Sequence, residues 1–330
     1  MPKSMRCFLV TKRENGVVER RLATVPLDDL PAGEVLVRVQ YSSLNYKDAL
    51  AATGHAGVVS RFPHVPGIDG AGTVVESNSP KFRAGDEVIV TSFELGAARW
   101  GAYAEFIRVP AEWVVPLPAG LTLRESMVLG TAGFTAALCV EAIQRQGIGP
   151  ERGDVVVTGA SGGVGSLAVA MLAQAGFRVS AVSGKPAAAD LLRRLGAKEI
   201  LLRETVTDTS GKPLLRAQWA AAIDTVGGTV LSTLLRSMKE QGCVTACGLV
   251  GGTELPITVY PFILRGVVLA GIDSAWYPAD KRTALWAKLA GLWKPAQLDE
   301  LSTEVALADL EPKIEDILAG RSVGRTVVKI

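Results

Sequence analysis

The chain has 330 residues, room for two domains of ordinary size, and its 48% hydrophobic and 21% charged residues exclude extended disorder. A net charge of +2 argues against a broad nucleic-acid surface. The most apolar stretch, residues 166–182, is interrupted by Gln174, Gly176 and Arg178, so no membrane span and no signal peptide are expected, and a cytoplasmic location is.

Residues 1–125 read as mainly β. Residues 34–39 alternate after a turn at Pro31-Ala32-Gly33. Residues 71–76, 87–91, 104–109 and 113–116 are further strands, and short strands with Gly/Pro punctuation suggest a barrel-like β domain. Residues 126–146 read as a helix interrupted at Gly130 and Gly133. Strands at 154–158, 178–183, 199–202, 221–225, 243–247 and 267–272 then alternate with helices, which predicts a parallel sheet covered on both faces. A helix over 279–293 puts Leu285, Trp286, Leu289, Leu292 and Trp293 on one face, for packing or a subunit contact. A strand over 303–306, a helix over 307–319 and a strand over 325–330 follow, and these return to the first domain.

Cys7, Cys139, Cys243 and Cys247 form no C-x-x-C pair and read as buried, inert thiols. His55 and His64 are the only histidines, too few for a multi-histidine metal site.

The most informative stretch is Val155-Val156-Val157-Thr158-Gly159-Ala160-Ser161-Gly162-Gly163-Val164-Gly165. An apolar strand enters a glycine-dense turn that opens a helix. Ala160, Gly162 and Gly165 keep the spacing of G-x-G-x-x-G, with glycines for pyrophosphate approach and for tight helix–strand packing. The helix N-terminus offers N–H groups to phosphates. An NAD-specific site usually carries an acid at the end of the next strand. Ser183-Gly184-Lys185 stands there instead, and Arg203 follows the third strand, a set suited to the 2′-phosphate of NADPH.

Ser42–Leu50 (SSLNYKDAL), Pro66-Gly67-Ile68-Asp69, residues 130–136, the glycine turn, Ala222–Gly227, Ala246–Leu249 and Pro261–Arg265 carry a resemblance spanning nearly the whole chain. It resembles the medium-chain dehydrogenase/reductases of the quinone-oxidoreductase branch, in the YhdH/YhfP-type acrylyl-CoA reductase (NADPH) group. The resemblance implies an α/β fold in which a Rossmann doubly wound parallel sheet, residues 126–294, is inserted in a GroES-like β-barrel domain of residues 1–125 completed by 295–330. It implies an active site in the cleft and a homodimer paired through the strand at 267–272. The zinc ligands of metal-dependent relatives correspond to Asn45, Ile68 and Thr131, none of them a thiolate or imidazole, so no metal is expected. Ser161, Gly162, Gly163 and Val164 would contact the pyrophosphate. Ser183, Gly184, Lys185 and Arg203 would hold the 2′-phosphate. Tyr46, Thr131, Leu249, Ile263 and Ser274 would line the nicotinamide end.

Tyr46 and Asn45 are then the best side-chain donors for the oxygen of an enolate, while Lys47 and Asp48 read as a local ion pair. The implied reaction is hydride transfer from NADPH to an activated C=C bond, with acrylyl-CoA giving propanoyl-CoA. Its small-molecule partner is an enoyl-CoA, an enone or a quinone. A quinone reductase and an NADPH-binding sensor with little turnover are the alternatives.

Overall fold

The computed structural model describes residues 2–330. By contact the chain forms two compact units. One comprises the residues up to Thr131, Ala275–Gly291 and Leu298–Ile330; the other is Ala132–Ser274 with Leu292–Gln297.

The first unit opens on an antiparallel ribbon, β1 (Ser4–Lys12) and β2 (Val18–Pro26), in which Ser4 faces Pro26 and Lys12 faces Val18. The sequence reading has no strand here, because no residue of β2 is fully buried and its charged residues hide the alternation. Next come β3 (Val35–Leu44), α1 (Tyr46–Ala52), β4 (Asp69–Ser77), β5 (Glu87–Thr91), β6 (Phe106–Val109) and β7 (Val114–Pro116). Every second residue of β3 and its neighbours points inward. Val35, Val37, Val39, Val74, Val88, Val90 and Ile107 thereby share one buried cluster.

α2 (Leu123–Arg145) crosses from the first unit to the second and is broken at Gly130, which adopts φ 50°. Among the described residues it is the one helix long and apolar enough to span a bilayer, and most of it is buried inside the protein.

The second unit alternates β8 (Val155–Val157), α3 (Gly163–Gln174), β9 (Val179–Val182), α4 (Ala189–Arg194), β10 (Glu199–Leu201), β11 (Trp219–Asp224), α5 (Gly228–Ser237), β12 (Met238–Ala246), α6 (Tyr260–Arg265) and β13 (Val268–Gly271). All six strands are parallel, in the order β10-β9-β8-β11-β12-β13. This is the doubly wound order 3-2-1-4-5-6. Val155, Val156 and Val157 are wholly buried, as a central parallel strand covered on both faces requires.

The chain then returns to the first unit through α7 (Ala279–Ala290), β14 (Ser302–Ala306), α8 (Glu311–Leu318) and β15 (Arg325–Lys329). β15 lies between β14 and β3, parallel to one and antiparallel to the other. α7 groups with this unit, whereas the sequence reading assigns it to the nucleotide domain. Leu285, Trp286 and Leu289 share its buried face. The helix ends at Ala290, before the predicted apolar face is complete, leaving Leu292 71% exposed and Trp293 buried off the helix in the second unit.

Candidate active site

In the second unit the sheet order places β8 between β9 and β11, so the chain leaves β8 at the point where the strand order reverses. Ligands of open α/β sheets bind at such switch points, outside the carboxyl ends of the strands. The turn after β8 is held by Asp224 at the end of β11. Thr158 Oγ1 donates to Asp224 Oδ1 at 2.6 Å, and the Gly227 N–H donates to Oδ2 at 2.7 Å. Burial raises the Asp224 pKa, and the Thr158 bond opposes the rise.

Two glycines explain the turn. A Cβ on Gly165 would land on the Gly159 carbonyl oxygen, so α3 can start this close to β8 only without one. A Cβ on Gly162 would meet that same oxygen at 3.3 Å and nothing else within 4 Å, so its other side is open to a ligand. The first-turn N–H groups of α3 lack intrahelical acceptors and can serve a phosphate. The residues therefore fit a dinucleotide pyrophosphate.

At the next strand end, Ser183 is buried and its Oγ accepts the Lys185 N–H at 3.1 Å, which leaves the hydroxyl hydrogen to be donated. Arg203 lies over Gly184, with Nη2 3.6 Å from where a Cβ would stand. Burial and then the nearby Arg203 charge push the Lys185 pKa down. Two cations converge here, and an anion placed with them would relieve their repulsion. A 2′-phosphate is such an anion.

The first unit holds a buried polar cluster centred on Asp69 at the start of β4. Its carboxylate accepts Ser43 Oγ at 2.6 Å, Asn45 Nδ2 at 2.8 Å, the Thr131 N–H at 3.0 Å and Thr131 Oγ1 at 2.5 Å. Arg325 of β15 supplies the counter-charge, with Nη2 3.9 Å from Asp69 Oδ2, and donates to Ser43 Oγ, Asn45 Oδ1, Leu44 O and Val128 O. Gly130 admits the carboxylate: a Cβ there would stand 2.5 Å from Asp69 Oδ2. A second carboxylate, Asp48, accepts the N–H groups of Gly67, Ile68 and Asn45 together with Asn45 Nδ2. Burial and then the Asp69 charge push its pKa up to about 7, against the opposing Ile68 and Asn45 hydrogen bonds.

Two family models match the chain, the "Alcohol dehydrogenase GroES-like domain" over residues 31–119 and "Zinc-binding dehydrogenase" over residues 163–290. Acrylyl-CoA reductase AcuI of Ruegeria pomeroyi is 45% identical, with 96% of each chain covered. YhfP of Bacillus subtilis, provisionally named a quinone oxidoreductase, is 49% identical with 95% of each covered. Among solved structures, the yhdH oxidoreductase of Salmonella enterica in complex with NADP superposes with a TM-score of 0.96 at 47% identity, covering 99% of this chain and 100% of that one. Bacillus subtilis yhfP with NAD bound gives a TM-score of 0.96 at 47% identity, with all of both chains covered. The chain belongs to the quinone-oxidoreductase/AcuI branch of the medium-chain dehydrogenase/reductase family.

In this family member the residues singled out from sequence fall into two sets. Ser161, Gly162, Gly163, Val164, Ser183, Gly184, Lys185, Arg203, Leu249, Ile263 and Ser274 belong to the second unit; Asn45, Tyr46 and Thr131 belong to the first. Leu249 and Ile263 are 62% and 67% exposed, and Ser274 Oγ accepts Thr135 Oγ1 at 2.8 Å.

Two sequence expectations need correction. Asp48 forms no ion pair with the exposed Lys47; it is buried and bound to backbone N–H groups of the β domain. Asn45 has no hydrogen left for a substrate, because its amide nitrogen is spent on Asp48 and Asp69. Thr131 also gives its hydroxyl hydrogen to Asp69, which leaves its methyl group. Tyr46 differs: it is 41% exposed, and its hydroxyl makes no hydrogen bond to the described residues.

Sequence reasoning missed Asp69, Arg325 and Asp224 as organisers. Asp69 follows Ile68 directly and Asp224 lies in a motif already noted, so both carried a signal; Arg325 carried none. The four cysteines are free thiols, and burial pushes Cys7 and Cys243 up to about 11, which makes them poor nucleophiles.

Proposed function

We propose that the chain reduces an activated carbon–carbon double bond with NADPH, and that acrylyl-CoA, reduced to propanoyl-CoA, is its substrate. The observation that carries this reading is the Asp69 cluster. The positions of the zinc ligands in metal-dependent relatives are filled by an amide and a hydroxyl spent on a carboxylate, and by the hydrocarbon Ile68. Such a donor set does not suit zinc, so a substrate that brings its own electron sink fits better than an alcohol. NADPH supplies the hydride. Ser183, Lys185 and Arg203 hold its 2′-phosphate, and the turn after β8 holds its pyrophosphate. As charge develops on the thioester oxygen, the Tyr46 hydroxyl donates a hydrogen bond to it. The protein need not supply the α-carbon proton, which water can provide.

The name of AcuI supports the thioester, and that of YhfP supports a quinone as the second reading. NADPH oxidation by acrylyl-CoA, crotonyl-CoA and benzoquinone, assayed in excess chelator, separates them. We expect kcat/KM for acrylyl-CoA to exceed that for the quinone at least tenfold, about 1.4 kcal/mol in transition-state binding. A tenfold preference for the quinone, or activity lost with the chelator, overturns the assignment. Tyr46→Phe is expected to lower kcat about 100-fold with little change in KM, the size of effect seen when one oxyanion donor is removed.

The enzyme is further proposed to act as a homodimer in the cytoplasm. Four free thiols suit a reducing compartment. Among the described residues β13 pairs with β12 alone and leaves one edge open, and the helix just before it in the chain, α6, exposes Ile263 and Leu264. An open strand edge and exposed apolar side chains favour a partner. Light scattering at micromolar concentration should give twice the chain mass, and a monomer there refutes the dimer.

A further inference from the structure

We propose that Asp69 is a positioning residue for the reduction, fixing Tyr46 through Asn45 and fixing Thr131 directly. The inference rests on the reading of Tyr46 as the oxygen's donor. Three chain segments converge on the carboxylate: the end of β3 with Asn45, the start of β4, and the kink of α2. Asn45 caps α1 and Tyr46 is its first residue. The Asn45 amide is held at both ends, by Asp69 and Asp48 through Nδ2 and by Arg325 through Oδ1. Asp48 belongs to α1 itself, so rotating the start of the helix, and with it Tyr46, means breaking the two Asn45 bonds to Asp69 and Arg325 and the bonds of Asp48 to Gly67 and Ile68.

Thr131 is held just as firmly. It donates N–H and Oγ1 to Asp69 and shares a 2.9 Å hydrogen bond with Ser92 Oγ. Ser92 and Phe93 sit at φ 69° and 52°, a region that residues with a Cβ rarely occupy, so the contact anchors a strained turn.

A packed apolar side chain would stabilise this core at less cost. Burying a carboxylate with a guanidinium carries a desolvation penalty that their attraction offsets only in good geometry. The chain also gives up regular helix at Gly130 to admit the carboxylate. Asp48 differs in kind, since three of its four bonds go to backbone N–H groups.

The test uses the full chain with two near-isosteric variants, Asp69→Asn and Thr131→Val. Melting temperature, NADPH affinity by fluorescence titration, and kcat and KM for acrylyl-CoA are measured well below the melting point. We expect Asp69→Asn to bind NADPH within about twofold of wild type, with KM within about threefold and kcat lowered about 50-fold, the scale of a small misplacement of reacting groups. Thr131→Val should lose about tenfold in kcat. A folded Asp69→Asn protein with kcat within threefold of wild type overturns the proposal while leaving the reductase reading intact. So does one whose kcat and NADPH affinity fall together, which marks a merely structural role. If Asp69→Asn does not fold, unchanged kcat in Thr131→Val overturns it. A wild-type chain that binds NADPH but reduces neither acrylyl-CoA nor a quinone overturns both.

Discussion

Lys185→Glu is expected to weaken NADPH binding about 100-fold and to change NADH binding less than threefold. A hydrogen bond to a charged group contributes about 1.5–3 kcal/mol, and placing a carboxylate beside a phosphate adds repulsion to that loss. About 2.7 kcal/mol corresponds to 100-fold. NADH lacks the 2′-phosphate and feels little of either effect. Wild-type affinity should also depend on pH with a definite sign. Burial and Arg203 depress the Lys185 pKa in the free protein, and a bound phosphate raises it again. NADPH binding therefore takes up a proton between those two values. Its affinity falls as pH rises through the free-protein value, while that of NADH stays flat. Isothermal titration with both cofactors at several pH values checks the pair. Equal losses for NADPH and NADH in Lys185→Glu would place the 2′-phosphate elsewhere.

Arg325→Ala is expected to lower stability by about 3–5 kcal/mol, the usual cost of removing one partner of a buried ion pair. Arg325 is almost wholly buried and donates to four oxygens besides facing Asp69. Its loss leaves the carboxylate without its counter-charge and several carbonyl and hydroxyl oxygens short of a donor. Urea unfolding measures the change. A second substitution, Asp69→Asn, should recover part of it, because the uncompensated charge goes with the carboxylate. A loss below about 1 kcal/mol would show that the cluster is not held by this pair.

What could be read from the sequence was local. The six strands of the second unit follow from β-branched runs separated by glycine and by helical stretches, and the turn at Thr158–Gly165 from glycine spacing alone. The missing acid after β9 needed only a comparison of residue types. Asn45 was misjudged because a sequence shows which groups can donate, not which are already bonded. The Asp69–Arg325 pair was invisible for a related reason. Its members lie more than 250 residues apart in the chain, and nothing around Arg325 distinguishes it from a surface arginine at the start of a strand. The ribbon of β1 and β2 was lost to charged side chains that interrupt the alternation.

The placement of β15 also bears on the order in which the protein is made. The second unit is nearly continuous in the chain, so a growing polypeptide can complete it early. The first unit cannot be finished then, since β15 bonds to β3 from about 280 residues downstream, as the 281-residue separation of Arg325 and Leu44 shows. β6 covers the first half of that edge, so until β15 arrives the Tyr41–Leu44 stretch of β3 stays unpaired and Asp69 lacks its arginine. An open edge of that kind invites pairing with other chains. The nascent protein is therefore most exposed to aggregation after its nucleotide-binding half has folded and before its catalytic half has closed, and it is in that interval that a chaperone would matter most.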